Sequence, residues 1–310
     1  MEPADHPAPA LPPAPAHPRR LVYLGTPEMA VPPLEALHAA GFEVALVVTG
    51  ADKRRGRGTS TTPTPVKVAA LALGLPVSHD VADLPGVGAD LGIVVAFGQI
   101  LRRPLLEVLP MVNLHFSLLP RWRGAAPVER AILAGDERTG VCVMAVEEGL
   151  DTGGIYAQVD LAIRRTSTAA ELGAQLTEVG SQLLVRTLAE GLQPPAAQVG
   201  EPTYAHKLSA ADRALRWDQP ADVLHRTVRV GGAWTTFRDR RLKVLDARVD
   251  PAPAALAPGA LDGDRVATAE GSLQLLTVQP EGKAAVAAAD WLRGVRPEPG
   301  ELLCTPEVPA

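Results

Sequence analysis

Apolar and polar positions change period several times along the chain, and each change marks an element. "LVYL" (Leu21–Leu24) is a wholly apolar run that stops at Gly25. Pro32 and Pro33 then lead into Leu34, Leu37 and His38 at helical spacing, and Gly41 separates that stretch from "VALVV" (Val44–Val48). Unbroken apolar runs bounded by glycine predict buried strands, and proline in a first turn followed by i, i+3, i+4 spacing predicts a helix. Strand, helix and strand on short links make a parallel sheet. "LGIVVAFG" (Leu91–Gly98) and Met111–Phe116 read as two further strands. The first turn, Gly25-Thr26-Pro27-Glu28, lacks the Gly-x-Gly-x-x-Gly that admits a pyrophosphate, so the expectation is an α/β, doubly wound, mostly parallel sheet without a nicotinamide dinucleotide.

The pattern weakens twice. Residues 1–20, "MEPADHPAPALPPAPAHPRR", are Pro and Ala with almost no large apolar side chain, which predicts an extended, mobile tail. From 193 to 212 the chain is again punctuated by proline and loosely patterned, as a linker would be, and this bounds a first domain at 21–192. Beyond it, 213–310 carries short strands, clearest in "WTTFRDRRLKVLDARV" and "GSLQLLTVQ", then a short helix at Ala287–Leu292; the expectation is a small β-barrel.

At 310 residues two domains are the better expectation, and 46% hydrophobic with 21% charged residues is a globular composition. No window approaches the roughly 18 to 20 unbroken apolar residues of a membrane span. The first twenty residues also lack the apolar centre of a secretory signal, so a cytoplasmic location without a membrane partner is expected. Cys142 and Cys304 are the only cysteines, neither at metal-ligand spacing from a Cys or His, and both read as free buried thiols. No His-x-x-x-His pair occurs among the seven histidines, so no metal site is expected.

The net charge of −5 is unevenly spread. Arg226–Arg248 holds Arg226, Arg229, Arg238, Arg240, Arg241, Lys243 and Arg248 against Asp239 and Asp246, a solvated sheet face or a patch for phosphates. A second basic stretch, "DKRRGRGTSTTPTPVK" (Asp52–Lys67), carries Lys53, Arg54, Arg55, Arg57 and Lys67 against one acid.

Candidate chemistry concentrates in "VNLHFSLLPRWRGAAP" (Val112–Pro127). Residues i and i+2 of a strand share a face, so Asn113 and His115 point one way while Leu114 and Phe116 point into the sheet. A carboxamide can donate to an oxygen gaining negative charge, and an imidazole can move a proton near neutral pH. On those residues alone a local hydrogen-bonding arrangement is the commoner explanation of such a pair. Pro120 and Gly124 then force a turn, leaving the backbone groups of Ser117–Pro120 unpaired and able to meet a flat heteroaromatic ligand. "EEGLDTGG" (Glu147–Gly154) sets Asp151 among glycines, a carboxylate able to approach His115 and fix its orientation.

"VYLGTPEMAV", "RGRG" followed by "TPTPVK", "NLHFSLLPRWRGAAPVERAILAGDERTGVCVM", "EEGLDTGG", "TYAHKLS" and "LLTVQPEGK" occur in this order over nearly the whole chain after Leu21. In this the chain resembles the methionyl-tRNA formyltransferases; the Asn-x-His-x-Ser-Leu-Leu-Pro core is shared with all folate-dependent formyltransferases. The resemblance implies a Rossmann-like formyltransferase domain followed by an OB-like, tRNA-binding domain. It also implies transfer of the formyl group of 10-formyltetrahydrofolate to methionyl initiator tRNA, giving tetrahydrofolate and N-formylmethionyl-tRNA. It assigns Asn113, His115 and Asp151 as the catalytic group, without a metal. It places folate against Ser117, Leu118, Leu119 and Pro120 and against Ala96, Phe97 and Gly98 in the loop running on to Leu101. It turns the basic loop toward tRNA through Arg57, with Lys53, Arg54 and the linker lysine Lys207 beside it. A monomer is expected.

Two departures from the family pattern fall in the last domain: Arg216 stands before Trp217 where an acid is usual, and "VGGAWTTF" replaces an Asn-Pro-Trp-Pro-like turn. Rival readings are a sugar-nucleotide N-formyltransferase, a formyltetrahydrofolate hydrolase, and a non-catalytic RNA-binding module. The basic loop argues against the first two, and the intact Asn113, His115 and Asp151 against the third.

Overall fold

The structure, a computed structural model, describes residues 11–54, 61–252 and 256–306. They form two compact units. The first comprises the described residues up to Pro127, Arg138–Leu161 and Gly173–Ala205; the second comprises Val128–Glu137, Ala162–Leu172 and the described residues from His206 onward.

A seven-stranded sheet organises the first unit: β1 (Arg20–Gly25), β2 (Glu43–Val48), β3 (Val77–Ser78), β4 (Leu91–Val95), β5 (Met111–His115), β6 (Arg138–Ala145) and β7 (Ile155–Ala162), in spatial order β7-β6-β5-β4-β1-β2-β3. From β3 to β5 every pairing is parallel, and β6 runs antiparallel to β5. Helices α1 (Val31–Ala39), α2 (Pro65–Ala72) and α3 (Arg103–Val108) each carry proline in the first turn. Because β1 lies between β2 and β4, the winding reverses there, and the carboxyl ends of the strands around such a reversal are where these sheets bind ligands.

Strand alternation sorts the core. Val22, Leu24, Leu46, Val48, Val94 and Met111 bury one face against Leu84, Leu106 and Leu109. The other face buries Val112 and Leu114, and Gly180 of α5 (Ala169–Glu190) lies so close to Leu114 and Val141 that an added Cβ would come within 3.3 Å and 3.0 Å of them. Since Met111, Asn113 and His115 alternate with these residues, the polar pair extends the first face toward the carboxyl end of β5.

Three expectations change. The apolar run at Leu91–Gly98 ends as a strand at Val95, because Ala96 (φ 47°) and Gly98 (φ 77°) turn left-handed. The expected mobile tail is tied down from Leu11 onward: Leu11 packs against the Val22–Met111 core, the Ala16 carbonyl accepts from the Leu192 amide at 2.7 Å, and the Arg19 amide donates to Asp90 at 2.9 Å. Its first ten residues lie outside those described. The linker at 193–212 is tied down as far as Ala205, since Ala196 exchanges two backbone hydrogen bonds with Ile155 at 2.7 and 2.9 Å and Tyr204–Ala205 pairs with Arg123–Gly124. Backbone groups that find partners order a segment whatever its composition.

The second unit is built on antiparallel strands β8 (Trp234–Phe237), β9 (Arg240–Asp250), β10 (Leu261–Asp262), β11 (Arg265–Ala267), β12 (Ser272–Pro280) and β13 (Val286–Ala287), in order β8-β9-β12-β11-β10 with β13 also on β12. Its edges are joined by the stretch that follows: Thr236 of β8 exchanges backbone hydrogen bonds with Cys304 at 3.3 and 2.9 Å, and Leu261 of β10 accepts from Gly300 and donates to Glu301. The short segment from 300 to 304 therefore closes the sheet into the expected barrel by bridging its end strands β8 and β10. Trp217, Leu242, Val244, Leu275 and Leu303 fill it. Trp217 is 2% exposed and donates from Nε1 to the Thr235 hydroxyl at 3.0 Å, so Arg216 before it leaves the tryptophan in the core; Arg216 itself pairs with Asp218 at the surface. Helix α7 (Ala288–Val295) lies where a helix was expected, whereas α6 (Ala221–Arg229) was not foreseen. Cys304, expected to be buried, is exposed.

Arginines draw the two short insertions into this unit. Arg229, 9% exposed, donates to the carbonyls of Ser167 (2.7 Å) and Arg164 (2.9 Å). Arg130 of α4 (Pro127–Ala134) forks onto Asp212 at 2.7 and 3.1 Å. Burial alone pushes the Asp212 carboxyl upward, but hydrogen bonds from Arg130 and from the Ser209 amide and hydroxyl outweigh it and bring the group down to about 2. A depressed carboxylate contributes stability above its unfolded value of about 3.9, and that contribution disappears as pH falls through the folded value. Asp212→Asn should therefore lower the urea midpoint at pH 7, with the difference from the parent narrowing from about pH 4 downward and closing near pH 2; a difference that stays constant with pH contradicts the assignment.

Candidate functional site

Asn113 and His115 stand at the carboxyl end of β5, in register with Met144 and Cys142 of β6. Cys142 forms part of the floor beneath them with Met144 and Leu119. Its thiol, pushed up to about 11 by burial, donates to the Ser117 carbonyl at 3.2 Å. The Asn113 carboxamide is half-buried and makes no hydrogen bond to another described residue, leaving its N–H groups available to a ligand.

His115 is 5% exposed, and both ring nitrogens face protein. Nε2 lies 2.9 Å from the Trp122 carbonyl, which can only accept, so Nε2 carries a proton. Nδ1 faces the Asp151 carboxylate at 3.5 Å, an ion-pair distance and too long for a strong hydrogen bond. With Nε2 committed, Nδ1 is the atom at which this ring can gain or release a proton.

Asp151 comes from the loop between β6 and β7, and its position is over-determined. Its Oδ2 accepts from the Gly124 amide at 2.7 Å. Its backbone is left-handed (φ 51°), sparsely populated for a residue with a Cβ. Gly153 must be glycine, since an added Cβ would lie 2.0 Å from the Ala145 carbonyl oxygen. Gly124 (φ 117°) pairs with Ala205, whose carbonyl oxygen an added Cβ would approach to 3.0 Å.

Four residues that sequence reasoning did not single out support this geometry. Trp122 supplies the carbonyl under His115, and its own amide donates to the Thr203 hydroxyl at 2.9 Å. Arg123 donates to Gln198 Oε1 from Nε (3.1 Å) and Nη2 (2.6 Å). Gln198 Nε2 donates to the carbonyls of Asp151 and Gly153, each at 2.8 Å. Apart from His115 and Trp122, the partners are 45 to 81 residues apart in the chain, and no local pattern announces such pairs.

The other expected residues fare differently. Ser117 is buried and donates from Oγ to the Arg121 carbonyl at 2.6 Å; the Leu118 carbonyl accepts from the Arg121 amide and the Pro120 carbonyl from the Thr203 amide. The expectation of an unpaired backbone across Ser117–Pro120 is thus corrected: the carbonyls of Ser117, Leu118 and Pro120 accept from the Cys142 thiol and the amides of Arg121 and Thr203. Phe97 is buried, while Ala96, Gly98 and Ile100 (88% exposed) present an open loop beyond β4, and Leu150, 58% exposed, adjoins Asp151. Arg57 lies outside the described residues. Lys53 and Arg54 pair by their backbones with Thr62 and Thr61. Lys67, counted with the basic loop, is held by Asp52 at 2.7 Å. Lys207 belongs to the second unit and is exposed. Among the described residues no group of His, Cys, Asp and Glu side chains could hold a metal ion, and no helix is long and apolar enough to cross a membrane.

Residues 19–188 match the family described as Formyl transferase, and 207–296 match that described as Formyl transferase, C-terminal domain. The methionyl-tRNA formyltransferase of Roseobacter denitrificans is 43% identical over 299 residues, covering 91% of this chain and 98% of that one. That of Symbiobacterium thermophilum is 41% identical over 315 residues, covering 94% and 97%. Among solved structures, the fold resembles an N-formyltransferase from Helicobacter canadensis in complex with folinic acid and dTDP-3-aminofucose (TM-score 0.63, 14% identity, 84% of this chain and 99% of that chain). It also resembles HypX from Aquifex aeolicus in complex with tetrahydrofolic acid (TM-score 0.61, 17% identity, 89% and 47%), of whose length this chain spans about half. Over both of its domains, then, the chain belongs to the formyl transferase family, among the methionyl-tRNA formyltransferases.

Proposed function

We propose that this protein transfers the formyl group of 10-formyltetrahydrofolate to the α-amine of methionine carried on initiator tRNA, acting as a monomer in the cytoplasm and supplying N-formylmethionyl-tRNA for translation initiation. The observation that carries the reading is the pairing of His115 with Asp151 at the carboxyl end of β5, on the strand face that His115 shares with the Asn113 carboxamide. When bound, 10-formyltetrahydrofolate supplies an electrophilic formyl carbon on a nitrogen that can leave. The residues present suit it: exposed Ile100 and Leu150 offer apolar contact to an aromatic body, and Asn113 offers a donor that has no partner among the described residues.

In this mechanism Asn113 donates to the formyl oxygen as the amine attacks and that oxygen gains charge. His115 takes the proton released by the amine on Nδ1 and returns it to the departing nitrogen. Asp151, 3.5 Å away, stabilises the imidazolium formed in between. The Trp122 carbonyl on Nε2 keeps the ring from turning. Folate is assigned to the loop of Ala96, Phe97 and Gly98 and to the turn at Ser117, Leu118, Leu119 and Pro120.

For the tRNA we assign the outer face of β8 and β9. Trp234 and Lys243 are cross-strand neighbours, as are Thr236 and Arg241, and the Arg241 guanidinium lies 4.2 Å over the Trp234 ring. Arg238 and Arg240 are paired with Glu301 and Glu281, whereas Arg241 and Lys243 meet no carboxylate among the described residues. Unpaired cations beside an aromatic face suit phosphates and bases. The loop holding Lys53, Arg54 and Arg57, and Lys207, are assigned to the same partner.

Supplied with 10-formyltetrahydrofolate, the protein should formylate methionyl initiator tRNA and leave an amino-sugar nucleotide untouched, and Asn113→Ala should lower kcat by about 10²- to 10³-fold with tRNA binding retained. Product formed only on the amino-sugar nucleotide would overturn the acceptor. In a filter-binding titration against salt, Arg241→Ala with Lys243→Ala should weaken tRNA binding and reduce the slope of log Kd against log salt by about one for each phosphate interaction removed; an unchanged slope removes this face from the interface.

A further inference from the structure

Between 193 and 202, in a stretch that reads as a linker, every residue is exposed except Gln198. Its neighbour Val199 is 87% exposed, so the segment lies at the surface and this one side chain turns inward. We propose that Gln198 is a positioning residue for the formyl transfer: its carboxamide holds the backbone of the Asp151 loop in the left-handed turn that aims the carboxylate at His115. The proposal rests on the role assigned to Asp151 above.

Each polar atom of the Gln198 carboxamide is used. Nε2 donates to the carbonyls of Asp151 and Gly153, each at 2.8 Å, bracketing the turn whose first residue has φ 51°. Oε1 accepts from Arg123 Nε at 3.1 Å and Nη2 at 2.6 Å. Arg123 precedes Gly124, whose amide donates to Asp151 Oδ2 at 2.7 Å. Gln198 thus ties the backbone side of Asp151 to the segment that holds its carboxylate. Only a carboxamide meets both demands: a carboxylate accepts from Arg123 but faces two carbonyls with no proton to offer, and an amine or guanidinium has nothing for Arg123 to donate to. The segment carrying Gln198 is itself fixed at Ala196, by the paired hydrogen bonds to Ile155, and at Thr203, whose carbonyl accepts from the Arg123 amide at 2.8 Å. Asp151 and His115 are 3.5 Å apart, so a small shift of the turn changes which of them a proton meets, and displacements near 1 Å cost up to about 10²-fold in rate.

The test is a mutant cycle read by steady-state kinetics on the full-length protein, with methionyl-tRNA and 10-formyltetrahydrofolate as substrates. Gln198→Ala and Gln198→Glu should each lower kcat by about 10- to 100-fold, with KM for either substrate changed by less than about threefold. In an Asp151→Asn background the same changes should leave the residual kcat where it was, because the two residues act through one contact. Gln198→Glu keeps the volume and the Arg123 partner, so it carries the comparison if Gln198→Ala does not fold. An unchanged kcat in the parent background overturns the proposal, as does an equal fractional loss in the Asp151→Asn background, which marks a general structural defect. Full activity of Asp151→Asn alone would overturn the role of Asp151 itself.

Discussion

The proposed chemistry depends on where one imidazole is allowed to carry its proton. His115 is buried, and the Trp122 carbonyl takes the hydrogen of Nε2. Everything reactive about the ring is thereby sent to Nδ1, toward Asp151. That commitment needs Trp122 in a left-handed backbone conformation (φ 64°), and the turn containing it is held by Thr203 and by the short ladder to Tyr204–Ala205. The scaffold of parallel strands supplies the direction of the side chains; irregular segments supply their chemical states.

This division explains what was legible in the sequence. Strands β1, β2 and β4 carry apolar runs buried on both faces, and such runs announce themselves. The shared face of Asn113 and His115 follows from the two-residue period of a strand, and Asp151 among glycines follows from the close approach of Ala145 to Gly153. Gln198, Thr203 and Arg123 were not legible, because their partners lie 45 to 81 residues away and their surroundings carry the Pro-rich texture of a linker. Local composition reports how much surface a segment can bury; it is silent on which backbone groups a distant loop leaves open. The same limit applies to residues 11–19, whose order comes from hydrogen bonds and a single leucine rather than from a pattern.

In the barrel the legible part was the alternation of β8, β9 and β12, and the illegible part was its closure. Nothing in "ELLCTP" resembles a strand, yet Leu303 is buried and its neighbours bond both edge strands. A sheet closed this way keeps one face for the core and frees the other, and on that outer face Trp234, Arg241 and Lys243 sit together because cross-strand register brings them there. The two departures from the family pattern are absorbed without loss of this arrangement: Trp217 keeps its buried hydrogen bond to Thr235, and the glycines before Trp234 adopt left-handed turns (φ 85° and 75°).

The most direct test of the central claim is the protonation pattern of His115, read by 15N NMR of the imidazole-labelled protein at a pH where the ring is neutral. The expected result is a proton on Nε2, a bare Nδ1, and loss of this tautomer preference only when the turn around Trp122 is disrupted. A neutral ring protonated on Nδ1 would mean that the Trp122 carbonyl does not hold it, and would contradict the claim.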